Sequence, residues 1–204
     1  MALTNNYLIQ AQQAKQRFLT YDQAALIRKF SLTADPDYIY VNLLCQPYRL
    51  NRHTGDLQKQ EGKLWIDGNT YEEVMTLLDI LCDSRDDRHL SGHWQNMQSF
   101  GLQFHQNLLE EPHDPFAEAI DKDPALLRRA AEALGAEKLS GGDMGYAFPL
   151  FEHLKIGLLF WHGDEEFSPR VRYLWDKYAK QYIRYETMYF AVSLLRCRIR
   201  ETGA

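Results

Sequence analysis

Residues 141–167, GGDMGYAFPLFEHLKIGLLFWHGDEEF, constrain the fold more than any other stretch. A glycine-rich turn at Gly141-Gly142 leads into an alternating series, Tyr146, Phe148 and Leu150, with the two-residue period of a strand. Glu152-His153 interrupts it, and an almost unbroken apolar run follows from Ile156 to Trp161. The prediction is a strand, a tight turn and a second, core-forming strand. The run ends directly in an acidic knot, Asp164-Glu165-Glu166, with His162 beside it. Nowhere else does a core-forming segment abut so many ionisable groups.

The remaining pattern supplies helices and further strands. Leu8, Ala11 and Phe18 recur at helical spacing, so residues 3–19 are read as a helix. Asp22 is placed to cap a second short helix carrying Leu26, Ile27 and Phe30. Residues 38–44, YIYVNLL, are β-branched and aromatic, the composition of a central strand. A second strand is predicted at Tyr48-Arg49-Leu50-Asn51, and the turn signal His53-Thr54-Gly55-Asp56 returns the chain near Leu57 or at Leu64-Trp65-Ile66. Thr70-Tyr71-Glu72-Glu73 is a capping box, ahead of the stripe Val74, Leu77, Leu78 and Leu81.

Trp94, Met97, Phe100 and Phe104 suggest a helix from about residue 94 with a break at Gly101. Asp123-Pro124 starts another, which Gly135 ends. Ser168-Pro169 reads as the cap of a helix with the stripe Val171, Leu174, Trp175, Tyr178 and Tyr182. The last helix carries Tyr185, Tyr189, Val192, Leu195 and Ile199. Adjacent strand pairs and runs of helices favour an α+β fold: a single domain over residues 1–204, with an antiparallel sheet of about four or five strands and packed helices. A minor break is expected near residues 110–115.

Composition matters mainly for what it excludes. A formal charge of −5 argues against a nucleic-acid-coating chain. No apolar run reaches the roughly 18 residues of a membrane span, and the N-terminus has no apolar signal core. Cys45, Cys82 and Cys197 are far apart and form no paired spacing, so they read as reduced, buried thiols in a cytoplasmic protein.

Three segments carry a resemblance. Gly142-Asp143-Met144-Gly145-Tyr146, Trp161-His162-Gly163-Asp164-Glu165-Glu166-Phe167 and Leu174-Trp175-Asp176 resemble, in order and spacing, an uncharacterised bacterial and archaeal family known only as a domain of unknown function. Trp175 stands where the family pattern has Phe. The likeness extends over most of residues 5–200. Some relatives are joined to, or encoded beside, a cysteine-rich iron–sulfur domain of the corrinoid methyl-transfer type. The resemblance therefore implies a link to iron–sulfur or corrinoid one-carbon metabolism. This chain has no cysteine cluster and cannot ligate an iron–sulfur centre by itself.

Two functions stay open. The first is a soluble accessory or binding module, with an iron–sulfur or corrinoid protein as partner and neither nucleic acid nor membrane. The alternative is a metal-dependent or acid/base enzyme using His162, Asp164, Glu165 and Glu166, with Asp143, His162, Asp164 and Glu166 as candidate metal ligands. Alternate strand positions share a face, so convergence of neighbouring residues is the demanding step. The competing structural reading is that the three acids sit at a helix start and favour its dipole. No cofactor-binding motif is present: Gly141, Gly142 and Gly145 lack the Lys-Ser/Thr of a phosphate loop. The remaining histidines show no ligand spacing, and no Ser, Cys or Thr lies in a nucleophile elbow.

Overall fold

A computed structural model describes residues 6–100 and 113–203. Six helices and ten strands are defined among these residues, and the strands form two five-stranded antiparallel sheets. The α+β class is therefore shown, with two sheets of the expected size where one was anticipated. The chain divides into two compact units, Met1–His89 with Lys180–Ala191, and Leu90–Ala179 with Val192–Ala204. Of the break expected near 110–115, residues 110–112 lie outside the described residues, and Asp114 caps a helix.

The first unit opens with α1 (Asn6–Leu19) and α2 (Gln23–Phe30). Asp22 caps α2 by accepting from the Ala25 amide at 3.0 Å. A meander follows in chain order: β1 (Thr33–Ala34), β2 (Tyr38–Leu43), β3 (Gln46–Asn51), β4 (Leu57–Glu61) and β5 (Leu64–Ile66). Both positions considered for the third strand are thus strands, paired with each other.

In β2, Ile39, Val41 and Leu43 are buried, whereas Tyr38 and Tyr40 are half-buried and Asn42 is exposed. Its second face is therefore a half-open aromatic layer rather than core, with the Arg49 guanidinium 4.1 Å from the Tyr38 ring and 5.0 Å from the Trp65 ring. Next, α3 (Tyr71–Asp83) starts at the predicted capping box: Thr70 Oγ1 accepts from Glu73 N, and the Glu73 carboxylate from Thr70 N. It packs on α1, and Arg17 donates to the buried Asp79 at 2.7 Å.

The second unit contains β6 (Trp94–Asn96), α4 (Pro115–Lys122), α5 (Pro124–Ala133), β7 (Glu137–Lys138), β8 (Met144–Phe151), β9 (Leu154–Trp161) and β10 (Arg170–Asp176). The strand order is β6-β10-β9-β8-β7. The predicted hairpin is β8–β9, with Glu152 in its turn at φ +49°. Burial of Ile156, Leu158 and Phe160 together with Gly157 and Leu159 leaves β9 closed on both faces. The last helix, α6 (Tyr185–Gly203), belongs to both units.

Two sequence expectations are corrected. Residues 94–96 form β6 and Met97–Phe100 a single 3-10 turn, so no helix begins at Trp94; the rest of that expected helix lies outside the described residues. The segment after Ser168-Pro169 is β10, a strand. Its core residues are Val171, Tyr173 and Trp175, spaced by two, and the period of three to four came from partly exposed Leu174 and from residues beyond the strand. Of the cysteines only Cys82 is buried, and burial pushes its thiol up to about 12. Cys45 and Cys197 are exposed, Cys45 because it forms the β2–β3 turn at φ +57°.

Candidate functional site

The β8–β9 hairpin builds its open end from backbone constraints. Gly141 and Gly142 lie at φ +124° and +64°, a region that favours glycine. A Cβ on Gly142 would stand 2.5 Å from the Phe160 carbonyl oxygen, so a side chain cannot fit there. Asp143 follows. Its amide donates to Phe160 O at 2.8 Å, and its Oδ2 accepts from the His162 amide at 2.7 Å. The start of β8 is thereby clamped to the end of β9, and His162 is placed just beyond the sheet.

The His162 ring stands edge-on to Phe160, with centroids 4.9 Å apart. Its Nδ1 lies 2.7 Å from Oδ1 of Asp121, on α4. The Gly163 amide approaches the same oxygen at 3.4 Å. Both side chains of the pair are partly exposed. The hairpin thus brings His162, Asp143 and Asp121 together, though Asp143 engages only the histidine backbone. Asp121 lies 41 residues away in sequence. No spacing rule reports such a partner.

The acidic knot has a different geometry. Asp164 Oδ1 accepts from the amides of Glu166 at 2.9 Å and Phe167 at 2.8 Å, and the Asp164 amide donates to Phe167 O at 2.9 Å. This is a carboxylate-capped turn. It leads to β10, so the helix-start explanation of the three acids is overturned. Glu165 and Glu166 are exposed, and neither carboxylate has a hydrogen bond or ion pair among the described residues. Phe167 is 69% exposed, beside the three acids. Trp161, by contrast, is held by Arg170 and Arg172, whose guanidinium carbons lie 4.7 and 5.5 Å from its ring.

Chemically, the first group is an imidazole whose Nδ1 is oriented by a carboxylate. That arrangement fixes the ring and leaves Nε2 to accept or deliver a proton. The predicted set of His162, Asp164, Glu165 and Glu166 does not assemble: His162 turns to Asp121, and Asp164 serves its own loop. Among the described residues no group of three or more His, Cys, Asp or Glu is placed to hold a metal ion.

Tyr173 and Asp176 of this unit are also perturbed, for structural reasons. Burial pushes the Tyr173 hydroxyl upward; it accepts from Arg196 Nε at 2.7 Å, and Arg196 also reaches Asp114 Oδ2 at 2.8 Å. Burial alone would raise the Asp176 carboxyl, but the amides of Ser91, Tyr178 and Gly92 and the Ser91 hydroxyl outweigh it and hold it below the ordinary range.

An α+β chain with two antiparallel sheets and a histidine–carboxylate cluster at one hairpin end is the class that fold and site define. Over residues 22–197 the sequence matches the family described as a domain of unknown function, DUF3786, and the chain belongs to that family. No curated protein and no solved structure matches it. No helix among the described residues is long and apolar enough to cross a membrane.

Proposed function

We propose that the chain is an accessory or binding module that presents residues 164–167 to a protein partner. The observation that carries this reading is the pairing of a fixed backbone with open side chains. Asp164 closes the turn, while Glu165, Glu166 and Phe167 face solvent. A preordered loop loses little entropy on docking, and an exposed aromatic flanked by charges suits an interface anchor. The complementary surface is basic with an apolar notch. The family resemblance supplies the partner class: an iron–sulfur or corrinoid protein of one-carbon metabolism.

The test is anaerobic co-purification from the native host, comparing wild type with a Glu165→Lys/Glu166→Lys/Phe167→Ala variant. An iron- or corrinoid-containing protein that co-elutes with wild type and is lost from the variant is the expected result. Equal recovery with both overturns the reading.

The 2.7 Å His162–Asp121 contact favours one second reading, an acid/base enzyme in which His162 moves the proton and Asp121 orients it. In that case any activity found by substrate screening falls by about a hundredfold or more in His162→Asn, in line with the loss of a general acid or base. Unchanged turnover in that variant rules the reading out.

A further inference from the structure

Residues 164–167 form the tip of a second hairpin, β9–β10, in which Trp161 is paired with Arg170 and Leu159 with Arg172. Gly163 and Pro169 close its neck: a Cβ on Gly163 would stand 2.8 Å from Pro169 Cδ. The hairpin carries its charges in two zones. Glu165 and Glu166 lie at the tip. Arg170 and Arg172 lie below it on one face of β10, because strand residues two apart share a face. The exposed Phe167 separates the two zones in sequence. We propose that this hairpin is a self-complementary interface that binds a second copy of the chain.

Neither zone satisfies the other within the chain. The guanidinium groups of Arg170 and Arg172, like the carboxylates of Glu165 and Glu166, make no hydrogen bond or ion pair among the described residues. What the arginines have is the half-buried Trp161, whose ring lies 4.7 Å from the guanidinium carbon of Arg170 and 5.5 Å from that of Arg172. A ring orients a guanidinium and leaves its N–H donors open. Cross-strand packing accounts for Trp161 beside Arg170. It does not account for two guanidinium forks left without an acceptor. Asp164 stands apart from the tip acids, since its carboxylate closes the turn.

Free acids and free bases on one hairpin define the occupant. A two-fold axis presents the same patch on both partners, so a residue on one side of the axis meets a residue from the other side. The order acid, phenylalanine, base supplies that pattern. Glu165 and Glu166 of each copy reach Arg170 and Arg172 of the other, and Phe167, near the axis, packs against its counterpart. The planar arginine fork suits a carboxylate. The Asp164 turn and the Trp161 stack hold both zones in place beforehand, which lowers the ordering cost of association. A purely acidic or purely basic partner would satisfy one zone and oppose the other. This inference rests on the loop being a docking surface, and it adds an occupant that competes there with any other partner.

The experiment is sedimentation velocity of the purified full chain over a range of concentrations. A monomer–dimer equilibrium is expected, with the dimer fraction falling as salt is raised from about 0.05 to about 0.5 M. Glu165→Lys/Glu166→Lys and Arg170→Glu/Arg172→Glu should each raise the dissociation constant by about tenfold or more, because like charges then face each other. Mixing the two variants should restore a mixed dimer, since every reversed charge again meets its opposite. Both variants keep a negative net charge, starting from −5, so bulk attraction does not produce that pairing. Arg170→Gln/Arg172→Gln is the milder variant, and circular dichroism checks that each chain is folded. A chain that stays monomeric at every concentration, a dimer indifferent to salt, or reversed variants that do not pair on mixing would each overturn the proposal. The purified chain is measured alone, so these outcomes are read separately from co-purification of an iron or corrinoid protein.

Discussion

The two ends of β10 carry carboxylates of opposite kinds. Before the strand, Glu165 and Glu166 are exposed and unpartnered among the described residues. At its end, Asp176 is buried and accepts from Ser91 N and Oγ at 3.0 Å, Gly92 N at 2.7 Å and Tyr178 N at 2.8 Å. Both belong to segments that resemble the family pattern, yet Asp176 is committed to holding residues 91–92 and 178 to the strand. A carboxylate with every lone pair committed has no capacity left for a ligand. Family motifs therefore mix scaffold with surface, and a count of hydrogen-bond partners separates the two.

That contrast is sharpest under mutation of the buried end. Asp176→Ala leaves several donors without their charged acceptor and should cost about 3 kcal/mol, a value checked by urea unfolding. Its carboxyl lies below the ordinary value near 3.8 in the folded chain. The stability it contributes is therefore complete above that ordinary value, and is lost as pH falls through the lower, folded one. Below pH 4 the wild type should lose stability more steeply than Asp176→Asn, and parallel acid unfolding curves would refute this.

Gly142→Ala tests the clamp that places His162. The new Cβ meets a backbone oxygen at 2.5 Å, at a φ of +64°. The cost should be about 2 kcal/mol. The Asp143–His162 amide bond should open with it, seen as faster hydrogen exchange at the His162 amide. A smaller effect is expected from His162→Asn. The contact to Asp121 joins two partly exposed side chains, and such pairs contribute at most about 1 kcal/mol. A larger loss would mean that the pair organises the fold rather than a site.

The sequence made local devices legible and distant ones invisible. Thr70 and Glu73 announce their helix because the capping box is closed within four residues. The β8–β9 hairpin is equally plain, since its alternation and its turn are contiguous. β10 was hidden because Val171, Leu174 and Trp175 also satisfy a helical period; the strand is decided by pairing with β9 and β6, which lie elsewhere in the chain. The helix α4 was masked by linker-like composition around Pro115. The candidate site was half legible: His162 stands out beside the knot, but its partner Asp121 comes from that masked helix.

The mildest substitution gives the sharpest sign. Had Asp164, Glu165 and Glu166 opened a helix, neutralising Glu165 and Glu166 would forfeit about 0.3–1 kcal/mol for each. They precede a strand instead, and the carboxylate that closes the turn, Asp164, is retained in Glu165→Gln/Glu166→Gln. Removing two negative charges from a loop that also holds Asp164, and lies beside Asp143 and Asp121, relieves repulsion. The double variant should therefore be as stable as wild type to within about 0.5 kcal/mol, with any change a gain that shrinks as salt is added. A salt-sensitive loss would restore a stabilising role to the knot. An unchanged or raised midpoint leaves those carboxylates without structural work, which is the condition a docking surface must meet.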